Sequence, residues 1–362
     1  MRATVGVEEE FLLADPRTGQ ALPGAEQVIA RCGTLPRGAR VQRELRPTQL
    51  ESSTGVCTTS DEVRDQLVAC RQALAAAAGD LVLLATGTPI AAAAPVPPPP
   101  TPGRYAEIDD RYGGLVEDYE ACGSHVHVGV PDPDTAVAVV NHLARWLPAL
   151  LALSANSPSD RGRDTGYHSW RMVLQSRFPG SGVAPFFTGH AEYRAAVDTL
   201  VSCGALVDPA QTFWLARPSP HFSTVEIRVA DTALTVDEAV LQVLLSQALV
   251  ATACTDLAHG REAAPLSPQV CAAAVWAAAR HGMSAWLVDP QREARLPAWH
   301  FVESLLDHVQ PALDGDIAEV IALLEPLRRS GTGSVRQRAV SGLGIRAGID
   351  VLAVRVASGV PG

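Results

Sequence analysis

Three stretches of this chain set chemically demanding side chains two residues apart inside apolar, β-branched sequence. They are Glu8 and Glu10 in VGVEEEFLL, His125 and His127 in CGSHVHVGV, and Glu226 and Arg228 in TVEIRVAD. A strand turns alternate residues to opposite faces, so each pair projects from one side, its members roughly 6.6–6.8 Å apart along the strand. If the strands share a sheet, one face carries carboxylates, imidazoles and a guanidinium, the material for holding divalent metal and phosphate. A solvent-facing antiparallel sheet also alternates, but its polar positions are usually mixed Thr, Lys and Ser, and these pairs contain none of the three. Glu9, the middle of the triplet, points the opposite way, toward an Arg under the sheet, and is not counted as a ligand.

At 362 residues the chain exceeds one typical core and falls short of a clear two-domain length. With 47% hydrophobic and 19% charged residues it can bury a large core. Its net charge of −10, from 39 acidic against 29 basic residues, supplies no basic stripe for nucleic acid but leaves a nucleotide possible. The seven cysteines are scattered and lack CxxC spacing, so they read as reduced thiols in a cytoplasmic protein. No basic, apolar signal pattern opens the chain. The most apolar stretch, Ala239–Thr255, contains Gln242, Ser246 and Gln247 and reads as a buried helix, not a membrane span.

Strand patterns fall at Thr4–Leu13, Arg40–Leu45, Gln49–Thr54, Leu81–Gly87, Gly123–Val130, Thr212–Ala216 and Thr224–Ala230. Helical periodicity is clearest after Asp61, with Ser60 or Asp61 as cap and Gly79 as terminator. It recurs over Pro133–Ser154, His190–Ser202, Val236–Gly260, Ser267–His281, Pro297–Val309 and Gly315–Ser330. This layout predicts an α+β fold, a mainly antiparallel sheet with helices on one face, as a single domain over 1–362 whose last third, about 236–350, is mostly helical. The run AAAAPVPPPPTP (Ala91–Pro102) can be neither helix nor central strand and reads as an extended surface connection. The tail Val351–Gly362 has no assignment.

Glu8, Glu10, Glu44, Glu51 and Glu226 all sit in apolar or strand-like sequence, where an unpaired charge is costly. Converging carboxylates at ~4 Å would repel by ~4 kcal/mol per pair at an effective dielectric of ~20, so only cations could hold the cluster at neutral pH. Hard oxygen ligands with one imidazole suit Mg²⁺ or Mn²⁺ better than zinc. His-x-His alone fits a zinc site and two hydrogen-bonded core histidines equally well. Gly123 and Gly129, which bracket it, allow a close approach of backbone or ligand. The loop SANSPSDRGRDTGYHSWR (Ser154–Arg171) offers Arg163, His168 and Arg171 as substrate-binding groups, and Arg217 in WLARPSPHF is a second candidate anion clamp.

Five motifs in order, VGVEEEF, ELxxxQLE (Glu44–Glu51), CGSHVHVGVPD, LSANSP followed by GRDTGYHSWR, and RPSPHFSTVEIRVAD, together resemble the carboxylate–amine ligases related to type 2 glutamate–cysteine ligases. The resemblance covers roughly Val5 to Asp231. It implies a glutamine-synthetase-like fold whose curved antiparallel sheet binds ATP and Mg²⁺ on its concave face, with helices on the convex one. It implies amide formation through an acyl phosphate, with glutamate as the acid and small-molecule partners only, and leaves homo-oligomerisation open. Carried over, it makes Glu10 and Glu51 ligands of one metal and Glu8, His125 and Glu226 ligands of a second. Glu44 would serve a third ion near the phosphates, His127 would touch ATP phosphate, and Arg228 would neutralise the transferring γ-phosphoryl group beside Glu226. The chain departs from the family at Ser159–Asp160 and at the alanine–proline run, where the substrate end could lie. Other readings are a ligase for a specialised acid or amine, a metal-dependent hydrolase, which gives Arg228 no role, and a catalytically weak nucleotide- and metal-binding regulator.

Overall fold

Alternation within the first strand sets the layout of the computed structural model, which describes residues 3–92, 103–313 and 315–355. In β1 (Val5–Ala14), Val5, Val7, Glu9 and Phe11 turn to the packed face, while Glu8 and Glu10 turn to an open cleft. One edge of β1 pairs with β3 (Gln49–Ser53), which in turn pairs with β2 (Arg40–Arg43). The other edge is shared by β4 (Val82–Leu84) and β5 (Gly123–Gly129). Beyond β5 lie β7 (Thr224–Asp231) and then β6 (Ala216–Pro218), and every pairing in this seven-stranded sheet is antiparallel. The register sets Glu10 opposite Glu51, Glu8 opposite His125, and His127 opposite Glu226. Directly opposed residues share a face, so pairing alone collects the polar side chains of four strands.

Helices cover the other face. Val7, Val126, Val128, Val225 and Ile227 enter the largest core cluster with Val240, Leu244 and Leu245 of the helix Val236–Ala258. Fully burying each such side chain is worth ~1.5–3 kcal/mol, so this layer supplies much of the driving force. Val236–Ala258 is long and apolar enough to cross a membrane, but 61% of that window is buried within the fold. It is the central core helix.

Several elements differ from the sequence reading. The helix Ser60–Ala77 is capped by Thr59, not Ser60 or Asp61: the Thr59 hydroxyl accepts the Glu62 N–H, and Glu62 reaches back to complete a capping box. The single helix expected over Pro133–Ser154 is two, Pro133–Leu143 and Leu147–Ser154, bent by 69°. Pro148 lacks an N–H and sits in the first turn of the second, a position suited to restarting a helix but not to continuing one. The helical third also contains a hairpin, Trp286–Asp289 with Ala294–Pro297. Most of the Ala91–Pro102 run lies outside the described residues. In the tail, Ala353 bridges to Leu84, and the Val354 N–H donates to the Leu83 carbonyl.

Glu9 is fully buried on the packed face, where Arg71 of Ser60–Ala77 meets it bidentately, Nε to Oε2 at 2.9 Å and Nη2 to Oε1 at 2.6 Å. The same Nη2 donates to the Ala233 carbonyl, which ties the helix to the segment after β7. Removing one partner of a buried pair strands the other charge. Arg71→Leu should therefore destabilise the protein by ~3–5 kcal/mol, read from urea unfolding, and Glu9→Gln/Arg71→Leu together should cost less than Arg71→Leu alone.

Candidate active site

Two polar groups share one cleft of about 400 Å³ on the open face of the sheet. In the first, one oxygen from each of Glu10, Glu44 and Glu51 lies within 4.8 Å of the others; in the second, the same holds for atoms of Glu8, His127 and Glu226. His125 stands between them, Nδ1 3.1 Å from Glu8 and 3.9 Å from Glu226, Nε2 3.8 Å from Glu10. Glu10 accepts the Gly123 N–H at 2.6 Å, and Glu51 accepts from Gln42 at 2.8 Å. Glu44 reaches the group from the turn after β2, its carboxylate held by the Leu45 N–H at 2.9 Å.

The two groups are electrostatically opposite. Burial raises Glu10, Glu44 and Glu51 above the ordinary carboxylate range, and for Glu51 the charges of Glu8, Glu44 and Glu10 push further in the same direction. A side-chain hydrogen bond between them raises Glu51 further and lowers Glu44, so of the two Glu51 takes up a proton more readily. Burial also opposes ionisation of Glu226, but the adjoining Arg217 and Arg228 outweigh it and hold Glu226 well below the usual range. Burial likewise acts against Glu8 and is overcome by hydrogen bonds from His125 and His127. Among the described residues, Nε2 of His125 has no hydrogen-bond partner, and Nε2 of His127 faces Glu8 at 3.3 Å. Hard oxygens with an imidazole at one group, and three mutually repelling carboxylates at the other, are a donor set for Mg²⁺ or Mn²⁺.

The candidate side chains divide between the two groups. His127, expected at phosphate, clusters with Glu8 and Glu226, while His125 bridges the two groups. Glu44 joins Glu10 and Glu51, where a separate third ion was expected. Arg217 is no free anion clamp. It grips Glu226 with Nε at 2.8 Å, and Nη1 is spent on the Ala210 and Thr212 carbonyls and the Thr212 hydroxyl. Arg228 also donates to Glu226, and its Nε is unpartnered among the described residues. Arg171 lines the cleft, but Arg163 and His168 do not. Arg163 is exposed on a two-residue strand paired with Ser159–Asp160. His168 turns away, bonded through Nδ1 to Ser334 at 2.7 Å, and burial with nearby Arg338 brings it down to about 4.

Sequence reasoning passed over Gln42, Arg104, Tyr105, Tyr119, Gln175 and Phe222, all of which line the cleft. Gln42 was reachable from the β2–β3 register, which sets it opposite Glu51. Gln175 was reachable from Arg171 by one helical turn, had Ser169 been taken as a cap. Phe222 stands edge-on to His127 at 5.9 Å and is 63% exposed at the rim.

The family model described as glutamate–cysteine ligase family 2 matches residues 4–348. A Saccharopolyspora erythraea protein provisionally named glutamate–cysteine ligase 2-2 is 50% identical over 99% of this chain and 93% of its own length. A Rhodopirellula baltica protein provisionally named glutamate–cysteine ligase 2 is 37% identical over 92% of each chain. Among solved structures, a Francisella tularensis glutamate–cysteine ligase in complex with AMP superposes with TM-score 0.70 at 14% identity, over 97% of this chain and 88% of that one. The ligase PafA, in complex with the ubiquitin-like protein Pup, superposes with TM-score 0.53 at 13% identity, over 99% of this chain and 74% of that one. The two structures share the fold.

The raised carboxylates fix a pH dependence. A group with a folded pKa above its unfolded value lends stability that is complete below the unfolded pKa and lost as pH rises through the folded one. Metal-free protein should therefore lose melting temperature as pH climbs above the ordinary carboxylate range. Mg²⁺ or Mn²⁺ should restore it most at the higher pH and release protons on binding. Glu51→Gln should flatten both effects in thermal melts, and equal metal shifts in the two proteins would remove Glu51 from the ligand set.

Proposed function

The chain belongs to glutamate–cysteine ligase family 2 and is an ATP-dependent carboxylate–amine ligase, and we propose that it activates glutamate as an acyl phosphate over Mg²⁺ held at the two polar groups. One observation carries this reading. The self-repelling trio Glu10–Glu44–Glu51 and the guanidinium of Arg228 open on the same cleft, pairing a demand for cations with a donor for phosphate. On this reading residues 1–362 act as one catalytic domain, in the cytoplasm, where its seven unpaired cysteines stay reduced.

Glu10, Glu44 and Glu51 would hold one site, and Glu8, His127 and Glu226 the other, with His125 able to lean to either. Bound there, the metal would neutralise phosphate charge and fix the nucleotide's orientation. The chain's own residues do the rest. An oxygen of the acid's carboxylate attacks the γ-phosphorus, the bond to the β–γ bridging oxygen breaks, and ADP departs. Arg228 is held by Glu226 and lines the cleft, with its Nε unpartnered among the described residues, and its guanidinium spreads the charge of the transferring phosphoryl group. Arg217 keeps Glu226 ionised and fixed. A neutral amine then attacks the acyl carbon, the C–O bond to phosphate breaks, and the amine's proton leaves to solvent. No protein nucleophile is required, and catalysis rests on positioning and fixed charge.

Arg228→Ala should leave ATP binding nearly intact while lowering product formation by at least about 10²-fold, and Lys should rescue poorly because an ammonium cannot replace a planar fork. Wild-type protein given ATP, Mg²⁺, glutamate and cysteine should release ADP and phosphate, measured by coupled assay and chromatography. AMP with pyrophosphate, or unchanged turnover in Arg228→Ala, would overturn the assignment.

A further inference from the structure

The short helix Trp170–Gln175 places two buried side chains in the lining of the cleft, each with a polar atom unmet among the described residues. Arg171 is 2% exposed and Gln175 is 0% exposed. Lying four residues apart, they share a helix face, with about 5–6 Å between their Cβ atoms. Nη2 of Arg171 donates to the Arg228 carbonyl at 3.1 Å, but Nη1 has no hydrogen-bond partner among the described residues. Neither the oxygen nor the nitrogen of the Gln175 amide has one either. Buried polar groups are nearly always satisfied, so a side chain with both amide atoms unmet at the wall of a binding cleft marks a place for a ligand.

The free atoms define what that ligand looks like. They are a charged donor, a neutral donor and an acceptor. A carboxylate takes the two donors and an ammonium group satisfies the acceptor; the two on adjacent atoms form the head of an α-amino acid. We propose that Arg171 and Gln175 hold the α-carboxylate and α-ammonium of the amino acid whose side-chain carboxylate is activated. This rests on the reading of glutamate as the acid. The attacking amine must stay unprotonated and free, so an acceptor waiting for an ammonium suits the acid substrate and not its partner.

The surroundings fix the guanidinium in place. A Cβ on Gly123 would sit 2.2 Å from Arg171 Nη2, so only glycine lets the side chain cross the strand there, beside the Glu10 carboxylate that accepts the Gly123 N–H. Asp231 is the positioning residue. One of its oxygens accepts the Asn156 N–H at 2.8 Å and the Ser157 hydroxyl at 2.7 Å, and the other accepts the Ser169 hydroxyl at 2.8 Å and faces Arg171 Nη1 at 3.9 Å. Ser157 in turn accepts the Arg171 N–H at 3.1 Å.

The test compares L-glutamate with glutarate, which lacks the α-ammonium, and with isoglutamine, whose α-carboxylate is an amide. Each is supplied to the wild-type enzyme with ATP, Mg²⁺ and cysteine. Both analogues should lose at least about 10²-fold in kcat/KM, because each leaves a buried partner unpaired. Gln175→Met should shrink the preference for glutamate over glutarate at least about tenfold, through the KM of the acid, with the KM for ATP within about twofold of wild type. A melting shift with Mg-ATP verifies that the variant is folded, and if it is not, the wild-type series alone decides. Glutarate used as well as glutamate, or a preference that survives Gln175→Met, overturns the subsite while leaving the ligase reading intact. No ADP or product with glutamate overturns that reading, and the subsite with it.

Discussion

Three carboxylates within 4.8 Å of one another, two buried and one half-buried, cannot all be ionised without a positive charge among them. Much of the architecture serves to keep Glu10, Glu44 and Glu51 together in spite of this. The β1–β3 register sets two of them side by side, the turn after β2 brings in the third, and Gly123 and Gln42 donate hydrogen bonds that a protonated group needs less than a charged one. Burial and the neighbouring carboxylates push Glu51 up, so the trio's own repulsion favours a proton there. A divalent cation bound among them would compete with protons and turn the repulsion into ligation.

The second group solves the same problem with protein charge. Glu226 lies between Arg217 and Arg228, and Glu8 lies against two imidazoles, so both stay ionised without help. The cleft thus has an end that needs a cation and an end already balanced, with His125 reaching both.

The strand pairs were legible because period-2 alternation survives without any tertiary information: Glu8, Glu10, His125, Glu226 and Arg228 do share one face, and Glu9 does find an arginine on the other. What alternation cannot carry is which histidine meets which carboxylate, since His125 and His127 share a face two residues apart and that choice depends on side-chain reach across the register. Loop residues were harder still. Arg163, His168 and Arg171 look alike in sequence, and only the start of a helix at Trp170 sends the last of them into the cleft while His168 folds back onto Ser334. Gln175 carries no charge and no motif, and its only mark in the sequence is its place one helical turn past Arg171 in a helix capped by Ser169.

The triplet Glu8–Glu9–Glu10 has an ambiguity built into it. Sliding β1 by one residue against its neighbours would still present a glutamate to the cleft, so the polar face does not by itself reject the shifted pairing. The rejection comes from underneath. In the native register one carboxylate faces one buried guanidinium, Arg71, between Val7 and Phe11. In the shifted one, two carboxylates would face that single arginine, while the valines would turn into the cleft. The Glu9–Arg71 pair, remote from any substrate, thereby acts as a proofreading contact for the sheet, accepting only the alignment in which the active-site carboxylates stand opposite their partners.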